Sequence, residues 1–394
     1  MPFFAYTLKG QPMRKSEPLA RPSQHLCDHL NHVGELTKQF TNSMGLPESG
    51  HLIGLLHDLG KFSETFQNYL KSATLLIDSN DEAFVDADRL KGKIDHSTAG
   101  AQWIWKHTSE NNKVAEITAQ ILSLCIVSHH SGLIDCLSPE GESIFTSRVE
   151  KENLKTFYTE VTQKISASQQ SSLLSLLDTT ASEFQERFRR IAEANAGAEI
   201  GLAFHFGLLT RFLLSCLVDA DRLDSAGREI SHSTEWKSLI NHLEHHLGKF
   251  DNSSHVDSIR EDISNACRKA AARNKQTFYL TVPTGGGKTL ASLRFALHHA
   301  EKHDSSRIFY IVPYTSIIEQ NAKTVREIFA TEGKDIILEH HSNLTPNVDT
   351  ESNRLLSENW DSPIIFTSTV QFLESLFASG TRAYAECTTW QMRY

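Results

Sequence analysis

At 394 residues the chain has room for two or more domains, each with its own core. Its net charge of −9 excludes a global positive field, so any contact with nucleic acid must be local or helped by bound cations. Six scattered cysteines without a CxxC pair, no signal-peptide core and no apolar run long enough to span a membrane point to a cytoplasmic protein with buried free thiols.

Residues 1–20 read as an irregular arm. The first strong helix is predicted over Gln24–Thr41, where Leu26, Leu30, Val33, Leu36 and Phe40 form one apolar stripe. His29 falls inside that stripe and points inward. His25 and His32 fall toward its edges. A second helix, Ser49–Leu59, carries Leu52, Ile53, Leu55 and Leu56 into an adjacent His57 and Asp58, and Gly60 stands where the helix is expected to stop.

After a polar segment over 63–94, Asp95-His96-Ser97-Thr98-Ala99-Gly100-Ala101 opens an apolar helix whose small residues allow a close helix approach. The next helix, about Val114–His130, ends in His129-His130-Ser131-Gly132. Residues 138–195 are helical and amphipathic and show no chemistry. The apolar stretch Ala198–Leu223 finishes in Val218-Asp219-Ala220-Asp221-Arg222. A carboxylate late in such a helix needs a partner. Asp221 is taken as the inward one, and Asp219 as a salt-bridge residue.

The texture turns polar near Gly248, where a linker and connecting helix are placed over 248–275. An α/β pattern follows. Thr277–Val282 reads as a strand. It leads into Pro283-Thr284-Gly285-Gly286-Gly287-Lys288-Thr289 and an apolar helix. Strand, glycine turn, Lys-Thr and helix make a phosphate cradle. Thr284, Gly285, Gly286 and Gly287 present backbone N–H groups, Lys288 reaches the outer phosphates of ATP, and Thr289 holds its magnesium. Further strands are expected over Arg307–Val312 and Ile364–Thr367.

His29, His57, Asp58, His96, His129, His130 and Asp221 lie on five helical segments, mostly at helix ends. Imidazole with carboxylate suits first-row transition metals more than Mg or Ca. Seven ligands exceed one tetrahedral site but suffice for two divalent ions sharing an Asp, with positions left for water. Two such ions can clamp the attacking and leaving oxygens of a phosphodiester.

Together these motifs resemble the HD nuclease–superfamily 2 helicases of type I CRISPR interference. The matching pieces are His29 in its helix, HDLGKF (His57, Asp58, Lys61), DHSxxGA (His96), HHSG (His129, His130), VDADR (Asp221), PTGGGKT, and the segments at 311–322, 339–344 and 367–379. The resemblance implies an all-α HD nuclease domain over 1–247 and a partial RecA-like helicase lobe over 276–394, hence a multidomain fold. It implies cleavage of single-stranded DNA delivered by a CRISPR RNA-guided surveillance complex, with no membrane partner. His29, His57, Asp58 and Asp221 would hold one ion. His96, His129 and His130 would hold the second, bridged by Asp58, the metals being Mn, Fe, Co or Ni. Lys61 would contact the scissile phosphate or a nearby group.

The chain departs from the family in having no DExx box, so ATP binding is expected without coupled unwinding. Missing that strand, the sheet is expected to have open edges. From about residue 380 the sequence resembles nothing in the family. A shifted reading frame compatible with these residues does resemble the segment before the DExx strand, so a frame-disrupted gene is expected; a deliberate truncation with a vector-derived tail is the alternative. Two other functions stay open: a nucleotide phosphohydrolase, and a non-catalytic remnant that only binds DNA or the surveillance complex.

Overall fold

A computed structural model describes residues 3–4, 17–77, 81–108, 112–194, 201–227, 234–251, 253–330, 336–340 and 362–377, in two compact units, Met1–Glu229 and Ile230–Ala378. The atypical tail from about 380, Cys387 and His341–Leu344 lie outside the described residues.

Among the described residues the first unit is helical apart from loops and a hairpin, β1 (Leu19–Arg21) against β2 (Gln24–His25), inside the stretch expected to be arm and helix start. Its helices are α1 (Leu26–Thr41), α2 (Pro47–Leu56), α3 (Glu64–Ala73), α4 (Ala87–Leu90), α5 (Thr98–His107), α6 (Lys113–Ser128), α7 (Ile144–Val149), α8 (Asn153–Thr156), α9 (Tyr158–Gln163), α10 (Ala167–Ala194) and α11 (Leu202–Ala226). The stripe expected on α1 is the buried one: Leu26, Leu30 and Val33 are fully enclosed, with Leu36 close behind. Pro47 starts α2, where its missing N–H is harmless. Leu52, Ile53, Leu55 and Leu56 are all buried, as in a central core helix. Gly100 lets α5 lie against α2, because a Cβ there would stand 1.9 Å from the Leu56 carbonyl oxygen.

Helix α11 corrects one expectation, being long and apolar enough by length and composition to cross a membrane. Its buried side, however, is that of a core helix: Leu213, Leu214 and Leu217 pack into the same cluster as α1, α2 and α6. It also carries several acidic residues. Among the described residues the cysteines are free thiols, with Cys125, Cys216 and Cys267 buried.

The second unit contains α12 (Trp236–Leu247), α13 (His255–Ala271), α14 (Lys288–Lys302), β3 (Ile308–Val312), α15 (Thr315–Ile328), β4 (Ile337–His340), β5 (Ile364–Ser368) and α16 (Thr369–Phe377). It is an incomplete α/β lobe. β3, β5 and β4 form a parallel sheet in that order, with Ile364 opposite both Ile308 and Ile337. Two expectations are corrected here. Helix α12 was assigned to the first domain, yet Trp236, Leu239 and Leu243 are buried with Leu293, Leu297 and Ile364, and the Trp236 indole N–H donates to the Ser305 carbonyl at 2.7 Å. Thr277–Val282 is not a strand: no described strand pairs with it, and Tyr279 is 90% exposed. Its β-type side chains cannot by themselves make a ladder, whose hydrogen bonds come from a neighbour.

Candidate metal centre and phosphate loop

The seven residues singled out in the sequence converge within the first unit. His29 sits in the first turn of α1. His57 and Asp58 follow the end of α2 and lead into a short 3-10 turn, Leu59–Phe62. His96 precedes α5, His129 and His130 follow α6, and Asp221 lies in the last third of α11. Gly60 stitches two of these segments together. Its N–H donates to the His96 carbonyl at 3.0 Å, and a Cβ would lie 2.5 Å from that oxygen. Close backbone approach is therefore what Gly60 supplies, in addition to ending the helix.

Asp58 is the centre of the arrangement and is fully buried. Its Oδ2 lies 2.6 Å from Lys61 Nζ, 3.2 Å from His57 Nε2 and 3.3 Å from His29 Nε2. Its Oδ1 lies 3.5 Å from His129 Nε2, 3.7 Å from His96 Nε2 and 3.8 Å from His130 Nε2. Three donor groups whose ligand atoms lie within 4.8 Å of one another result: His29, His57, Asp58; His57, His129, Asp221; and Asp58, His96, His130.

Four of the five imidazoles are oriented from behind. The Nδ1–H groups of His57, His129 and His96 donate to the carbonyls of Gly54 (2.8 Å), Ile126 (2.6 Å) and Ile94 (3.2 Å). His29 donates from Nδ1 to Asp224 at 2.6 Å. These bonds favour the Nδ1–H tautomer in His29, His57, His96 and His129, whose neutral rings then present an Nε2 lone pair to the middle. Ring nitrogens face each other at close range: His29 and His57 Nε2 are 3.2 Å apart, and His96 and His130 Nε2 are 2.8 Å apart. The buried Asp58 Oδ1 and His129 Nε2 have no hydrogen-bond partner. Buried acceptors that face one another need a cation between them. The donor set therefore fits divalent metal ions.

The electrostatics agree for His57, His96 and His130, while His29 is the exception. Burial pushes His57 and His96 toward the neutral, ligating form, and burial beside His129 brings His130 down to about 3. Burial also opposes charge on His29, but the Asp224 and Asp58 carboxylates outweigh it and raise its pKa. Burial disfavours the Asp58 anion as well, yet Lys61 and His57 hold its carboxyl well below the usual range. Asp221 is likewise held down against burial, chiefly by His57.

Lys61 is itself buried, with Asp58 Oδ2 as its nearest anion. Two residues of the centre escaped the sequence. Arg21 of the hairpin reaches Asp221 at 2.9 Å and Asp224 at 3.8 Å. Asp224 also takes the His32 Nδ1–H at 2.5 Å. Asp224 had a legible signal, one turn after Asp221 on the same helix face. Arg21 had none.

In the second unit, Gly285 (φ 84°) and Gly287 (φ 76°) take the left-handed conformation that glycine favours, and α14 begins at Lys288. The loop thus ends on a helix N-terminus, as phosphate binding requires. A Cβ on Gly286 would stand 2.3 Å from Val282 Cγ1. Thr289 Oγ1 donates to Asn321 Oδ1 at 3.2 Å, and Arg260 Nε donates to the Gly285 carbonyl at 2.9 Å. Thr284 and Lys288 are exposed at the loop surface.

Comparison with known proteins matches both halves. Residues 24–204 match the family model "Cas3, HD domain", and residues 251–385 match "Type III restriction enzyme, res subunit". No curated protein matches the chain. Among solved structures, T. fusca Cas3 with AMPPNP is similar over 95% of this chain and 42% of its own, at 14% identity and a TM-score of 0.50, which supports the fold. A second T. fusca Cas3 structure matches 98% of this chain and 45% of its own, at 16% identity and a TM-score of 0.47. The chain thus spans under half the length of the solved proteins it matches. Residues 24–204 are thus similar to the Cas3 HD domain, of the metal-dependent nuclease type, and the second unit to a helicase-like P-loop lobe.

Proposed function

We propose that the HD domain is a deoxyribonuclease that cuts single-stranded DNA with two divalent ions bridged by Asp58. His29, His57, Asp58 and Asp221 would hold one ion, and Asp58, His96, His129 and His130 the other. The observation that carries this reading is the division of one buried carboxylate: each oxygen faces its own set of imidazole nitrogens. Imidazole and carboxylate donors favour Mn, Fe, Co or Ni. When bound, such ions lower the pKa of a water and neutralise the charge on a phosphodiester.

The chain's own groups do the rest. Asp58 stays ionised because Lys61 is beside it, and Lys61 adds positive charge near the scissile phosphate. Gly54, Ile94 and Ile126 carbonyls and Asp224 hold the imidazoles in their ligating tautomers. His130, with 48% of its side chain exposed, marks the open side by which a strand enters. The strand would be delivered by an RNA-guided CRISPR surveillance complex in the cytoplasm. The loop from Thr284 to Thr289 would bind ATP with magnesium, a role that a nucleotide phosphohydrolase or a bare DNA-binding remnant does not call for.

The test is cleavage of single-stranded DNA, without ATP, by chelator-treated protein before and after Mn2+ is restored. Activity should return with the metal and be abolished in Asp58→Ala. Cleavage by Asp58→Ala at the parent rate would sink the two-ion assignment.

A further inference from the structure

We infer that Asp224 is a positioning residue that sets the tautomer and aim of His29, and through it the affinity of the first ion. This rests on the two-ion reading above. Asp224 lies on α11, one turn beyond Asp221, and its side chain is almost fully buried (3% exposed). It gathers three donors: His29 Nδ1 at 2.6 Å and Gln24 Nε2 at 2.8 Å on Oδ2, and His32 Nδ1 at 2.5 Å on Oδ1. The Arg21 guanidinium stands 3.8 Å from Asp224 and 2.9 Å from Asp221 and offsets part of their combined charge.

His29 differs from the other ligating histidines in what lies behind it. His57, His96 and His129 donate Nδ1–H to backbone carbonyls of their own segments, two or three residues away, so local backbone geometry orients them. His29 depends on a carboxylate from a helix 195 residues later. Without that acceptor its proton is free to move to Nε2, which would remove the lone pair that faces His57 and Asp58. A carboxylate behind a ligating imidazole also raises its basicity, and loss of such partners typically weakens metal binding by about 10–100-fold.

The test uses the full chain with 15N-labelled histidine, the His29 signal being identified by its loss in His29→Gln. In metal-free parent protein, at a pH where His29 is neutral, the ring should be in the Nδ1–H tautomer, and Asp224→Ala should shift it toward Nε2–H. In Mn2+ titrations followed by electron paramagnetic resonance, Asp224→Ala should weaken one of two binding events by about 10–100-fold and leave the other within about twofold. Asp224→Asn keeps one oxygen acceptor at unchanged size, so it should fold and fall between the two. An unchanged tautomer with unchanged Mn2+ affinity in both variants would overturn the assignment. If the parent binds fewer than two Mn2+ ions, the two-ion reading fails instead, and the His29 tautomer alone decides the role of Asp224.

Discussion

The Gly60 N–H donates to the His96 carbonyl at 3.0 Å, and a methyl group on Gly60 would press on that same oxygen. The backbone leaving Asp58 and the backbone carrying His96 are therefore held at a fixed spacing across the two halves of the metal centre. Gly60→Ala should force them apart. Overpacking of this kind costs roughly 1–3 kcal/mol, and the displacement should lower Mn2+ affinity at the His96 side. Denaturant unfolding and metal titration check it; a variant with parent stability and affinity would mean that the loop yields freely.

The three histidines near the start of α1 should separate sharply on substitution. His29 is fully buried and points at Asp58, whereas His25 and His32 lie outside that ring of ligands. His29→Ala should lose metal-dependent cleavage by more than about 100-fold, the scale of removing one essential charge-stabilising group. His25→Ala and His32→Ala should retain most of it, His32 losing more because it shares Asp224. Equal losses in rate assays of the three variants would contradict the helix face assigned here.

Stability of the second unit should depend on acid through Glu244. Its carboxylate is forked onto the nearly buried Arg294, with contacts of 2.7 Å and 2.6 Å. Burial acts against its charge, but the bonds from Arg294 and His298 win and lower its pKa. A group with a depressed folded pKa contributes stability above its unfolded pKa and loses it as pH falls through the folded one. The loss should therefore set in below about pH 4.3, the ordinary Glu value. Glu244→Gln should flatten this acid limb. At neutral pH it should cost roughly 1–2 kcal/mol, at the low end for charged hydrogen bonds because Glu244 is 30% exposed. Hydrogen exchange of α14 amides, measured against pH, reads both effects.

The loop of the second unit should bind ATP through Lys288, which stands exposed at the start of α14. Lys288→Ala should lose nucleotide binding in equilibrium dialysis. Binding at parent affinity in that variant would mean that the loop does not hold the phosphates.

Most of the candidate metal centre is legible because its residues obey local rules. His29 sits in an apolar stripe, and His57, Asp58, His129 and His130 end helices just ahead of glycines. What could not be read depends on distant partners. Arg21 looks like any exposed arginine until Asp221, 200 residues on, is brought beside it. The stripe of Trp236, Leu239 and Leu243 announces an amphipathic helix but not which core it joins, so the boundary was placed after α12 rather than before it. Thr277–Val282 has strand composition, yet strand formation is decided by a neighbour that composition does not name.

The span from Arg21 to Asp221 also orders events in time. A nascent chain that has reached only α10 already holds all five histidines of the candidate centre, but none of the acids of α11. Elongation at about 5–20 residues per second would separate the emergence of Arg21 from that of its partner by roughly 10–40 s. Closing so long a loop is entropically costly and is repaid only when α11 docks. The centre is thus assembled late, and a half-made chain lacks both Asp221 and the Asp224 carboxylate that aims His29.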